Sequence, residues 1–278
     1  MARAAKPATA SSRRYPVPAL EKGLDILELL SQHAGGLTQA EIAKTLGRSV
    51  GEIFRMLNCL VQRHYVAIRR PGDQYVLTLK MFELSHAHPP TRRLLTIALP
   101  VMHELAGKIH QSCHMTVVEQ ARGVILAQVD APGEMGFAVR AGTTVNLLTT
   151  ASGRVLLAFM PPDERQRLAP LLEATAAEHP HDAAEVEQVR QRGYEEMEST
   201  RIRGVHDFSF PVLDHRGHTV AALTVPHIER IGSDADRQRD FHHVRESLRF
   251  AAERLSAALG AGVARPHLTE SRYLEISR

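Results

Sequence analysis

Apolar residues in the first third of the chain recur at helical spacing in three consecutive blocks. In ALEKGLDILELLSQH, residues 19–33, Leu20, Leu24, Leu27 and Leu30 with Ile26 repeat every three or four positions, and Ala34-Gly35-Gly36 follows; this predicts an amphipathic helix and its stop. In LTQAEIAKTLG, residues 37–47, Thr38 and Glu41 stand three apart as a capping box, Ile42, Ala43 and Leu46 supply an apolar face, and Gly47 ends the helix. The third block starts at Ser49 and carries Val50, Ile53, Leu57 and Leu60 as its stripe, closing near His64. The period then changes. YVAIRRPGDQYVLTL, residues 65–79, alternates and breaks at Pro71-Gly72-Asp73, which predicts a β-hairpin with Arg69 and Arg70 by its tip. Three helices and a hairpin in this order predict a winged helix-turn-helix domain over residues 17–80.

The remainder mixes both periods. His86-Ala87-His88-Pro89-Pro90 predicts a helix stop and a linker, and RRLLTIALPVMHELAGKIH, residues 92–110, predicts a linker helix with Pro100 at its start or at a kink; together they fill residues 81–106. Strand-like runs follow at CHMTVVEQ, GVILAQVD and MGFAVR, then a helix ASGRVLLAFM stopped by Pro161-Pro162 and helices over about 163–173 and 182–193. DFSFPVLDHRGHTVAALTV predicts a hairpin turning at Asp214 to Gly217, and RDFHHVRESLRFAAERLSAALG a long closing helix. Helices around an antiparallel sheet make residues 107–262 an α+β domain, so the whole chain is of the α+β class. Residues 1–16 read as a flexible basic arm and residues 263–278 as a C-terminal tail.

Charge divides the chain at the same place. Residues 1–88 hold 12 Lys and Arg against 7 Asp and Glu, an excess of five, whereas the rest is slightly acidic within a net charge of +3. A basic first third points to nucleic acid at that end. Composition removes other classes: 44% hydrophobic content is globular, no apolar run approaches the roughly 18 residues of a membrane span, and no apolar stretch follows the N-terminal basic residues as a secretion signal requires. The two cysteines, Cys59 and Cys113, lie far apart, which suits a reduced, cytoplasmic protein without membrane contact. Sixteen histidines include the pairs His86/His88, His179/His181 and His242/His243, but none has a metal-binding spacing, and no cofactor is expected. Ser152 sits in Ala-Ser-Gly rather than a nucleophile elbow, so no catalytic residue is expected either.

On the third helix, with Ile53 pointing into the core, the opposite face holds Arg48, Gly51, Glu52, Arg55, Asn58 and Gln62, with Phe54 on its flank. Arg55 suits guanine or phosphate, Asn58 adenine, and Phe54 a thymine methyl. Glu52 is an anomaly beside a polyanion. It either accepts from a cytosine amine or, with Ser49 three residues before it, closes a capping box that starts the helix. In LLTTASGRVLLAF, Thr149 or Thr150 caps a helix whose free amides, Ala151, Ser152 and Gly153, suit an anion, with Gly153 admitting a ligand to the backbone.

The segments VPALEKGLDILELLSQHAGGLTQAEIAKTLGRSVGEIFRML, YVLTLKMFELS, TASGRVLLAF, RGYEEMEST and PVLDHRGHTVAALTV resemble the IclR-type transcriptional regulators over about residues 17–260. The resemblance implies an N-terminal winged helix that binds a double-stranded DNA operator, a linker helix, and a GAF/PAS-like effector domain. It also implies a homodimer or a dimer of dimers that controls nearby catabolic operons. It places a small carboxylate or aromatic effector at the helix start Thr150 to Gly153, with Met135, Phe137, Asp207, Ser209, Thr224 and Pro226 as further pocket walls. Two positions depart from the family pattern there: Asp207 replaces a Cys or small neutral residue, and Pro226 replaces a hydroxyl-bearing one. An acid in the pocket repels a carboxylate unless it is protonated or paired, with His206 or Arg140 as candidate partners. In the reading helix, Val50, Gly51 and Glu52 replace a Lys-Ser-Thr-like run. Two other readings remain: a metabolic enzyme using the C-terminal pocket through His206 and Asp207, and an architectural DNA-binding protein without an effector.

Overall fold

The computed structural model describes residues 17–133, 136–176, 183–229 and 233–261. The expected arm 1–16, the tail 263–278, Met135, and His179 and His181 lie outside them. Two compact units divide between Thr91 and Arg92.

The first unit runs α1 (Pro18–Ser31), α2 (Gln39–Thr45), α3 (Val50–Gln62), β1 (Val66–Arg69), β2 (Gln74–Leu77) and α4 (Lys80–Ala87). Thr38 and Ser49 cap α2 and α3 through reciprocal capping boxes with Glu41 and Glu52. The strands pair antiparallel from Val66↔Leu77 to Arg69↔Gln74, and Leu37 bridges to Tyr75 beside them. Ile26, Leu30, Ile42, Ala43, Ile53, Leu57, Val66 and Tyr75 form the core. Two stripes differ from the periodicity. On α1 the core takes Ile26 and Leu30 and leaves Leu20 and Leu24 exposed. On α3 it takes Ile53 and Leu57, whereas Val50, at the first turn, is exposed. The unit is small, and its core of eight buried side chains leaves the first turns of α1 and α3 exposed.

The prolines of the expected linker start a helix instead of separating elements. α4 ends at Ala87, and Pro89 is the first residue of α5 (Pro89–Ile109), which continues through Pro100. First-turn amides have no intrahelical acceptor, so proline loses nothing there and its fixed φ suits the helix. Pro162 acts likewise as the first residue of α7 (Pro162–Ala176).

The second unit holds a six-stranded antiparallel sheet in the order β5-β4-β3-β8-β7-β6. Its strands are β3 (Cys113–Glu119), β4 (Arg122–Val129), β5 (Thr144–Asn146), β6 (Glu195–Glu198), β7 (Val205–Leu213) and β8 (Thr219–Ile228). On one face, Met115, Phe208, Leu223 and Val225 pack with Met102 and Leu105 of α5 and with Phe241, Leu248 and Leu255 of α9 (Asp234–Ala258). The other face meets α6 (Ala151–Ala158) and α8 (Ala183–Arg192), with Leu147, Val155, Leu156, Val189 and Ala222 in the interior. The run GFAVR, residues 136–140, is not a strand. The outer edge of β4 is already occupied: Gly123 pairs with Val145, and Ile125 donates to Thr143 O while its own carbonyl accepts from Gly142 N.

Candidate DNA-reading helix and effector site

The start of α3 is clamped to α1. Ser49 Oγ accepts from the Glu52 amide at 3.4 Å, and Glu52 Oε2 accepts from the Ser49 amide at 3.1 Å and its hydroxyl at 2.9 Å. The other carboxylate oxygen accepts from Lys22 Nζ at 2.6 Å. The Lys22 ammonium, then the Ser49 amide and hydroxyl, hold the Glu52 carboxyl well below the usual range, at about 2. Three of the roughly four acceptor sites of this carboxylate are occupied by Lys22 and Ser49, so the anomaly resolves toward helix capping. Arg48, expected on the groove face, instead donates to Asp25 Oδ2 at 3.0 Å and is half-buried. Neither Lys22 nor Asp25 carried a motif of its own. Their spacing of three on the first helix was the available signal, because it faces both to one side.

Arg55, Asn58, Arg69 and Phe54 are exposed, and the three polar ones make no side-chain hydrogen bond or ion pair among the described residues. Arg70 lies 4.0 Å from Asp73 at the wing tip, both highly exposed. The free basic and amide groups of this surface therefore include Arg55, Asn58 and Gln62 on the helix and Arg69 on the wing.

In the second unit, strand register gathers four of the expected pocket residues. Asp207 stands opposite Pro226, and Ser209 opposite Thr224, on the sheet face beneath α6. Ser209 and Thr224 are buried and hydrogen-bonded to each other at 2.8 Å. The row through them is polar across five strands: Gln128, His114, Thr224, Ser209 and Glu195 are consecutive partners. Burial pushes the His114 imidazole down to about 4, so it is neutral near pH 7. His114 was missed because CHMTVVEQ reads as an ordinary strand and its partners arrive from distant segments.

The α6 start is positioned from several directions. Thr150 Oγ1 accepts from the Gly153 amide at 3.2 Å and donates to Asn146 O at 2.6 Å, while Asn146 Oδ1 accepts from Leu148 N at 2.7 Å. Arg154, one residue after the glycine, pairs with Glu185 at 2.6 Å and with buried Glu195 at 3.3 Å, and Arg192 also pairs with Glu195. Ala151, Ser152 and Gly153 are buried. The amides of Ala151 and Ser152 find no acceptor among the described residues. Gly153 serves a different purpose from the one expected. A Cβ there would stand 2.4 Å from Leu147 Cα and 2.6 Å from Asn146 O, so the space is filled by the chain's own backbone and not left for a ligand.

Burial pushes the Asp207 carboxyl up to about 6, opposed by a hydrogen bond from Ser199. Thr200, the next residue, donates to Thr149 O at 3.3 Å, which joins this loop to the α6 start. The expected partners of Asp207 are elsewhere. His206 turns to the opposite face against Phe208 and Phe241, with ring centroids 5.1 and 4.5 Å away, and Arg140 is exposed without an ion pair among the described residues. His206 and Asp207 cannot cooperate on one substrate atom, and the enzyme reading loses its only support. Phe137 is half-buried. Among the described residues, no three His, Cys, Asp or Glu side chains could together hold a metal ion, and no helix is long and apolar enough to cross a membrane.

Comparison with known proteins decides the family. The profile of the bacterial transcriptional regulator IclR C-terminal domain matches residues 90–257, and that of the IclR helix-turn-helix domain matches residues 19–68. The chain belongs to the IclR family. It is 25% identical over 250 residues to the HTH-type transcriptional regulator XynR of Escherichia coli, covering 88% of this chain and 98% of that protein. Among solved structures, the Thermotoga maritima IclR superposes with a TM-score of 0.69 at 23% identity, covering 87% of this chain and 98% of that one. An IclR homologue from Microbacterium hydrocarbonoxydans, complexed with 4-hydroxybenzoate, gives 0.68 at 17% identity, covering 87% and 98%. As an IclR-type regulator, the protein binds DNA through its first unit, has an effector domain in its second, and is not an enzyme.

Proposed function

We propose that this IclR-type regulator works as a homodimer, or a dimer of dimers, in the cytoplasm, reading an operator beside a catabolic operon and releasing or gripping it as a small organic effector binds. The observation that carries the DNA half is the free Arg55 guanidinium on the exposed face of α3, in a unit with a basic excess. For the effector half it is the pair of buried, unbonded amides at Ala151 and Ser152. They suit a carboxylate at the helix start. Asp207, whose burial favours the protonated acid, then suits a hydroxyl or amino group on the same ligand, and Phe137 an aromatic or apolar body. The 4-hydroxybenzoate of the Microbacterium homologue, an aromatic carboxylate with a hydroxyl, supports that class as a starting point.

A ligand shifts the DNA-competent population only by its differential affinity for the two states, so effector and operator must change one another's affinity by the same factor. The experiment is a titration of the full chain with an operator enriched from a random duplex pool, with and without small aromatic and hydroxylated acids. Arg55→Ala should weaken operator binding about tenfold and lessen the salt dependence by about one counterion. Unchanged affinity and slope would remove Arg55 from the interface, and no reciprocal effect from any acid that binds would remove the effector reading.

A further inference from the structure

The first turns of α3 carry two apolar side chains that the winged-helix core does not use. Val50 is 52% exposed and Phe54 48%, and at a spacing of four they stand side by side on the helix surface. Between them in sequence, Gly51 has open space where a side chain would be: a Cβ there meets nothing within 4 Å. The two charged residues that flank the helix start are both occupied, Arg48 by Asp25 and Glu52 by Lys22. Charge at this end of α3 is thus turned toward α1, while Val50, the bare backbone of Gly51, Phe54 and then the free Arg55 and Asn58 face outward.

A recognition helix meets base edges with its N-terminal residues. In the major groove those edges are hydrogen-bonding groups, with one apolar exception, the C5-methyl of thymine. We propose that Val50 and Phe54 form an apolar ledge that reads the methyl groups of neighbouring thymines beside the base or phosphate met by Arg55. The inference rests on α3 being the groove-reading helix. A protein partner fits the patch less well. Two side chains are a small fraction of the roughly 800 Å² per side of a stable interface, and the neighbouring free cation and the basic excess of this unit complement a polyanion.

The test uses the full chain and a duplex enriched from a random pool. Each thymine of the enriched site is replaced singly by deoxyuridine, which removes the methyl and keeps the hydrogen-bonding edge. At one or two neighbouring positions the wild type should lose about three- to fivefold in affinity per methyl. Phe54→Ala or Val50→Ala should erase that sensitivity at its own position, and Phe54→Leu should keep part of it. Both residues are exposed, so the thermal unfolding of each variant should match the wild type. If deoxyuridine is neutral at every position, or if its effect persists undiminished in both alanine variants, the ledge is wrong while the groove-reading helix stands. If no duplex is enriched at all, the groove-reading assignment fails and the ledge with it.

Discussion

The starts of α3 and α6 use the same cap chemistry to opposite ends. Each has a hydroxyl residue in extended conformation, Ser49 or Thr150, that accepts from the amide three residues on. Each has a glycine in the first turn, Gly51 or Gly153. At α3 the turn is exposed and the glycine has open space beside it; at α6 the turn is buried and the glycine presses on the backbone of Asn146 and Leu147. The first end therefore presents side chains: Ser49 accepts from the Glu52 amide, Glu52 returns to the Ser49 amide, and the Val50 and Gly51 amides lie in an exposed turn. The second end leaves the buried amides of Ala151 and Ser152 without an acceptor among the described residues. A helix start is a generic anion-ready feature, and what surrounds it decides whether backbone or side chains do the recognising.

The glycines give the sharpest contrast. Gly153→Ala should destabilise the effector domain by roughly 3 kcal/mol, since its Cβ meets backbone that cannot swing aside. Gly51→Ala should be neutral to stabilising by up to about 1 kcal/mol from helix propensity. Thermal unfolding of the two variants checks both; a harmless Gly153→Ala would erase the distinction between the two helix starts.

Asp207 tests whether the α6 side is as enclosed as its burial implies. Its folded pKa, about 6, is raised above the ordinary 3.8, so the folded domain holds the extra proton between those values. Stability should fall as pH rises through that window and level off above it. Asp207→Asn should flatten the fall and melt higher than the wild type at pH 7. An unaltered pH profile would mean that Asp207 is as solvated as Glu52.

Loss of the caps should have smaller effects. Thr150→Ala should cost about 2 kcal/mol, because its hydroxyl also ties Asn146, and Ser49→Ala about 1 kcal/mol. Glu52→Gln should have the smallest effect near neutrality. The wild-type Glu52, lowered from 4.5 to about 2, contributes fully above pH 4.5, and that contribution fades as pH falls toward 2. The group is exposed and screened, so the loss on acidification is slight, and Glu52→Gln should not show it. If Glu52→Gln instead alters which base is preferred at one operator position, the cap is not its main role.

Much of this was legible in the residues. Thr38-x-x-Glu41 and Ser49-x-x-Glu52 marked two helix starts, Pro71-Gly72-Asp73 the wing, and Asp214 to Gly217 the β7–β8 turn, because capping and turn chemistry act over three or four residues. Local patterns mislead where a distant segment supplies the answer. Arg48 was assigned to the groove, but Asp25 on another helix holds it. Val50 was given to the core by its period, and the core does not extend that far. Gly153 looked like room for a ligand, and the preceding loop occupies the room. The run at residues 136–140 alternates as a strand does, yet the edge it needs belongs to β5.

By itself, the sequence determined the order of elements, the capped helix starts and the two-part division, since each rests on local periodicity and on charge counted along the chain. Only the tertiary structure decided which of those local features faces solvent, which faces the core, and which charges are already spent on one another. The polar row from Gln128 to Glu195 shows why. Its five residues come from five strands spread over about 110 positions, from His114 to Thr224, and no spacing rule connects them until antiparallel pairing sets them side by side.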